Sequence, residues 1–218
     1  MSIENKTREL LQELSPETQL VVAAKNRTPA EVSECVNAGA TIIGENYLKD
    51  AERAFQIIGN KASWHYIGRL QRNKIGRIVA MFDMIETVDS LDLASLINKE
   101  CVSIGKIMSV LVEVNSGKET KKSGIMPEII EKFIKQLSTF DSIRVQGLMT
   151  MGPLLTNPED YRPYFRIVRQ MFNQIAALNL PRVQMLYLSM GMTDSYRVAI
   201  EEGANIVRIG SKIFGPRV

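Results

Sequence analysis

Eight short apolar runs alternating with helical patterns predict a compact α/β fold, a single (β/α)8 TIM-type barrel. The runs are rich in Val, Ile, Leu and Met with little polar alternation, the character of parallel strands covered on both faces. A chain of 218 residues with 45% hydrophobic content can bury one substantial core, and no Pro/Gly/Ser-rich linker divides it. One domain over residues 1–218 is therefore expected. A doubly wound open sheet satisfies the same alternation, and pattern alone does not separate the two.

The first element is an amphipathic helix ending near Pro16. Candidate strands follow at 20–24, 41–44, 64–68, 84–87, 107–114, 143–149, 185–189 and 206–209. Thr28-Pro29-Ala30-Glu31 reads as a capping box, with proline at the first helical position, where its missing N–H costs nothing. Asn157-Pro158 repeats the device before a helix that runs toward Leu178. After Pro127, the residues Ile129, Ile130, Phe133, Ile134 and Leu137 share one helical face. Glu128/Lys132 and Glu131/Lys135 pair at i,i+4 on the other.

Twenty-seven basic against 24 acidic residues, interspersed, give a net charge of +3 and no basic stripe for nucleic acid. The charged N-terminus lacks a signal-peptide apolar region, and no stretch is long enough to span a membrane, so a soluble cytoplasmic protein is expected. Cys35 and Cys101 have no metal or redox spacing and read as small core residues. His65 is the only histidine, so no histidine metal cluster is available; an orienting or packing role suits it better than that of a base.

In such a barrel the chemistry sits just past the C-terminal ends of the strands. Strand 1 ends in Lys25, placing an amine at the mouth where desolvation and nearby positive charge can free it to attack an aldehyde. The loops after strands 7 and 8 each set a glycine beside hydroxyls: Gly191 with Ser189 and Thr193, and Gly210 with Ser211. Barrels commonly bind phosphate there, through backbone N–H groups at short helix starts. Ordinary turn glycines, and a lysine that merely ends a strand, are the plainer alternatives. Strands 1 and 8 adjoin when a barrel closes, which brings Lys25 and the phosphate loops within reach of one small ligand. Asn46 offers a donor and an acceptor near the mouth, or a cap for the helix that follows. The run 117–124 reads as a solvated loop between glycines.

The stretches VVAAK (21–25), GENY (44–47), WHYIGRLQRNK (64–74), GLMTM (147–151), LSMGMT (188–193) and VRIGSKIFGPR (207–217) resemble, in order and spacing, the pyridoxal 5'-phosphate (PLP) homeostasis proteins. The resemblance covers nearly the whole chain. It implies a barrel similar to the N-terminal domain of alanine racemase, with PLP held as a Schiff base on Lys25. It also implies phosphate on the Ser189, Gly191, Met192 and Thr193 loop and on Gly210 and Ser211, Arg208 directed toward the pyridine nitrogen, and Asn46 near the ring. Many relatives have Ser or Thr where this chain has Ala24, and an acidic residue where Ser195 stands. An arginine at the ring nitrogen would keep it unprotonated and weaken the electron sink of PLP chemistry. A monomeric, non-enzymatic PLP carrier is therefore expected, with PLP-dependent apo-enzymes as transient partners. An amino-acid racemase is the alternative, disfavoured because no tyrosine among Tyr47, Tyr66 and Tyr164 is marked as a second base and no C-terminal β domain follows the barrel. A barrel enzyme acting on a sugar-phosphate carbonyl would share the lysine and phosphate logic.

Overall fold

Strand β1 (Gln19–Ala23) pairs in parallel with both β2 (Ile42–Glu45) and β8 (Ile206–Ile209), so the sheet has no edge. Between them β3 (Ser63–Tyr66), β4 (Met84–Val88), β5 (Met108–Glu113), β6 (Ile143–Met149) and β7 (Val183–Ser189) follow in chain order, completing a closed eight-stranded barrel. Closure excludes the open-sheet alternative. This computed structural model describes residues 1–215; the Pro216-Arg217 end of the last motif lies outside them.

Strand parity builds two cores. Val21, Ile42 and Ile206 meet inside the barrel, while their neighbours Val22, Ile43 and Val207 face the surrounding helices. That outer layer is the larger core, and each fully buried Val, Leu or Ile contributes roughly 1.5–3 kcal/mol to it. The helices that cover it are α1 (Ile3–Glu13), α2 (Pro29–Asn37), α3 (Leu48–Ile58), α4 (Ile75–Met81), α5 (Leu91–Ile104), α6 (Ile130–Leu137), α7 (Arg162–Ala177), α8 (Tyr196–Glu201) and α9 (Ser211–Phe214). No described helix is long and apolar enough to cross a membrane, and the described residues contain no metal-binding acidic, Cys or His cluster.

The capping box forms as expected: Thr28 Oγ1 accepts from the Glu31 N–H at 3.3 Å, and the Thr28 N–H donates to Glu31 Oε2 at 2.8 Å. Asn157 likewise accepts from the Glu159 N–H, although a 3-10 turn over Pro158–Tyr161 precedes α7. The α6 expectation needs correcting at its start. Pro127–Ile129 is a 3-10 turn, so Ile129 falls off the apolar face and stands 51% exposed. For the same reason Glu128 reaches Lys118 instead of Lys132, whereas Glu131 and Lys135 do pair, at 2.6 Å. β3 stops at Tyr66, two residues early, and β7 starts at Val183, two residues before the apolar run.

Candidate functional site at the barrel mouth

Inward parity carries β1 from Val21 through Ala23 to Lys25, two residues beyond the strand. Lys25 is half-buried, its Nζ lies 5.4 Å from the Tyr47 ring centroid, and among the described residues it makes no ion pair. The same parity runs from Ile206 through Arg208 to Gly210 on the adjoining strand. A cavity of about 180 Å³ opens at this β8–β1 seam, lined by Lys25, Met192, Thr193, Arg208, Gly210 and Ser211, together with Arg27 and Asp194. Six of the nine sequence-predicted residues thus share one cavity.

The other three lie outside its lining. Asn46 donates from Nδ2 to the Ile67 carbonyl at 3.2 Å, and the helix after it, with Tyr47 at its N-cap, has no side-chain cap. Ser189 is fully buried inside the barrel. Gly191 has φ +91°, and a Cβ there would lie 2.6 Å from Ala199 Cβ and 2.8 Å from Tyr196 Cα. It is glycine because the turn and α8 require it. At Gly210 a Cβ would meet the Ala23 carbonyl oxygen at 2.8 Å, so the seam itself demands glycine. The sequence suggested phosphate approach as the reason for both, and the structure supplies another.

The anion argument rests instead on backbone donors. Among the described residues, no hydrogen bond engages the N–H groups of Thr193, Asp194 and Ser211, all at the cavity wall. The Met192 N–H is already taken by Ser195 Oγ at 3.2 Å, and the Lys212 N–H by Thr193 Oγ1 at 3.3 Å. Three free donors beside Lys25, Arg27 and Arg208 favour a compact anion.

Beneath the cavity lies a polar interior that sequence reasoning missed. Arg208 is 4% exposed and donates from Nη1 to Ser189 Oγ at 2.6 Å and from Nη2 to the Thr150 carbonyl at 2.8 Å. Ser189 Oγ donates in turn to Glu86 Oε2 at 2.6 Å, and Glu86 Oε1 lies 2.7 Å from His65 Nδ1. β4 and β7 are not neighbours in the sheet, so the Ser189–Glu86 bond crosses the barrel interior. Burial would push the Glu86 carboxyl up, but His65, Arg208 and Ser189 together hold it below the usual carboxylate value. The signal for Glu86 was an acid inside the apolar run MIETV, and for Glu113 one inside VLVEV. Glu113 borders a neighbouring cavity of about 380 Å³ that shares Met192, and burial together with the Asp89 charge pushes its carboxyl up to about 7.

Residues 2–218 match the family model "Alanine racemase, N-terminal domain". A pyridoxal phosphate homeostasis protein of Aquifex aeolicus is 37% identical over 200 residues, covering 91% of this chain and 87% of that one. The homologous protein of Escherichia coli is 34% identical over 209 residues, covering 93% and 88%. The chain belongs to the pyridoxal phosphate homeostasis protein family. Among solved structures, PipY of Synechococcus elongatus with PLP bound matches with a TM-score of 0.90 at 28% identity, covering 98% of this chain and all of that one. An alanine racemase of Clostridium difficile shares the fold, with a TM-score of 0.82 at 16% identity.

Proposed function

We propose that this protein binds PLP in the β8–β1 seam cavity, with the cofactor aldehyde linked covalently to the Lys25 amine, and that it stores and hands over the cofactor without turning over substrate. The observation that carries the reading is the meeting, in one cationic cavity, of Lys25 with three backbone N–H groups that no described residue engages. The PLP-bound PipY structure supports it.

PLP, when bound, supplies an aldehyde for an amine and a pyridine ring that acts as an electron sink. The chain's own residues divide that chemistry. Thr193, Asp194 and Ser211 would offer N–H donors to the phosphate, and the hydroxyls of Thr193 and Ser211 further bonds. Among the described residues Lys25 makes no ion pair, although Asp194 lines the same cavity, so its amine is free to be presented once deprotonated. Arg208 would face the ring nitrogen; a guanidinium has donors and no acceptor, so it cannot stabilise a protonated pyridine. Tyr66 offers no second base at the mouth, since its hydroxyl donates to the Arg69 carbonyl and burial, with Tyr47 nearby, raises its phenol above the ordinary value. These features favour a carrier over a racemase. Hand-over to PLP-dependent apo-enzymes is part of this proposal, as is action as a monomer.

Borohydride reduction followed by peptide mass mapping tests the link. The pyridoxyl mass is expected on Lys25; finding it on Lys74 or Lys212 with Lys25 unmodified would overturn the assignment. Incubating the PLP-loaded protein with single L-amino acids in deuterated water tests the absence of turnover. Spectral change without α-proton exchange is expected. Exchange or D-isomer formation well above free PLP, and lost in Lys25→Ala, would restore the racemase reading.

A further inference from the structure

At the N-terminal end of the barrel a third cavity, of about 360 Å³, opens between Gln19, Thr41, Ser63, Asp83, Ser109 and Tyr187, and His65 forms part of its wall. His65 is therefore reached from one end of the barrel and Arg208 from the other. Between them run the Nδ1–Glu86, Glu86–Ser189 and Ser189–Arg208 contacts, each of 2.6 or 2.7 Å.

The hydrogen-bond directions along this line are fixed by chemistry. An ionised Glu86 only accepts, so His65 Nδ1 carries a proton and donates, and Ser189 donates to Glu86 and accepts from Arg208. Among the described residues no hydrogen bond engages His65 Nε2, which leaves it the uptake point for a proton. With His65 neutral, Glu86 and Arg208 cancel as a buried pair, with Nη1 4.0 Å from Oε2. With His65 protonated, the same interior holds one extra positive charge, and Glu86 is drawn toward the imidazolium and away from Arg208.

We infer that His65, Glu86 and Ser189 form a relay through the barrel interior that makes His65 a positioning residue for Arg208, setting the charge at the cofactor mouth from the opposite end of the fold. The inference rests on the proposed PLP site for its functional meaning. The other titratable groups around the line are few. Asp83 and Tyr187 border the N-terminal cavity, where Asp83 already accepts from the Trp64 N–H and Ser63 Oγ, and Glu113 adds a carboxyl on the Arg208 side.

His65→Asn keeps a donor toward Glu86 but takes up no proton. PLP affinity is measured for the native protein and this variant from about pH 5 to about pH 8, the range in which an imidazole changes charge. All other residues and the cofactor are common to both proteins, so the ratio of their dissociation constants isolates the relay. That ratio is expected to change by about threefold or more across the range; a constant ratio overturns the inference. A second arm uses the cofactor-free protein and the nitrogen resonances of the Arg208 guanidinium. In the native protein they are expected to move together with the His65 ring resonances as pH is varied. In Ser189→Ala, Arg208 should no longer respond to pH while the His65 ring resonances still do; an equal Arg208 response in both, or none in the native protein, overturns the inference. Failure of the PLP reading is distinguishable, because it appears as unlabelled Lys25 after borohydride, whereas the guanidinium readout needs no cofactor.

Discussion

Glu86 on β4 and Glu45 on β2 are both fully withdrawn from solvent, yet their surroundings differ completely. Glu86 accepts from His65 and Ser189 and lies near Arg208, which keeps it ionised in the barrel interior. Glu45 has opposite parity to the inward Ile42 and turns toward the helix layer, where, among the described residues, neither carboxylate oxygen has a well-formed hydrogen bond. Burial, with the charge of Asp50 behind it, pushes its carboxyl up to about 8 against a small opposing effect of the Asn46 N–H. Equal burial thus gives a charged acid in one place and a neutral one in the other. Partners decide the charge, and depth only raises the stakes.

The largest effect is expected at Glu86. Replacing it with alanine leaves Arg208 buried without its counter-charge, and the loss should be about 3–5 kcal/mol, read from the urea midpoint. A loss no greater than that of an exposed acid would break the contrast. Glu86 has a lowered folded value, so its contribution is present above its unfolded value and disappears as pH falls through the folded one.

Glu45 should show the opposite slope. Its folded value is raised, so between 4.5 and about 8 the folded chain holds a proton that the unfolded chain has released. Stability therefore falls as pH rises through that window, by about 1.4 kcal/mol per unit from this group. Glu45→Gln should flatten that part of the profile and raise the urea midpoint near neutral pH. An unchanged slope would mean that Glu45 has a partner after all.

The smallest effect belongs to an acid that is partnered but exposed. Glu13 accepts from Tyr196, Lys212 and Arg197, which hold its carboxyl down at about 2. Its side chain is 35% exposed, so solvent screening reduces the benefit, and Glu13→Gln should cost only about 0.2–1 kcal/mol, less in high salt. Matching the Glu86 loss would remove burial from the explanation.

What could be read from the sequence follows the same division between local and distant causes. The eight strands, the Thr28 cap and the position of Lys25 were legible because each depends on a few adjacent residues, such as the run VVAAK or the spacing from Thr28 to Glu31. Pro127 marked a helix start correctly in type but hid the 3-10 turn that throws Ile129 into solvent. The line from His65 to Arg208 was not legible, since it joins β3, β4, β7 and β8 across the barrel and leaves no pattern along the chain. Gly191 and Gly210 were visible as glycines, but the atoms that forbid a Cβ, in α8 and in β1, come from other segments.

The seam that houses the candidate site joins the first strand to the last, with Val21 aligned on Arg208 and Val22 on Ile209. Lys25 emerges early in synthesis and must wait for nearly all of the chain before its cavity has a second wall. Contacts of such long sequence separation form late and slowly during folding. At translation rates of about 5–20 residues per second, this interval lasts on the order of ten seconds or more. During that time the amine is an ordinary solvated lysine with no anion cradle beside it. The covalent link proposed for Lys25 is thereby coupled to completion of the barrel: a truncated or stalled product lacking β8 would carry the lysine without the seam cavity beside it.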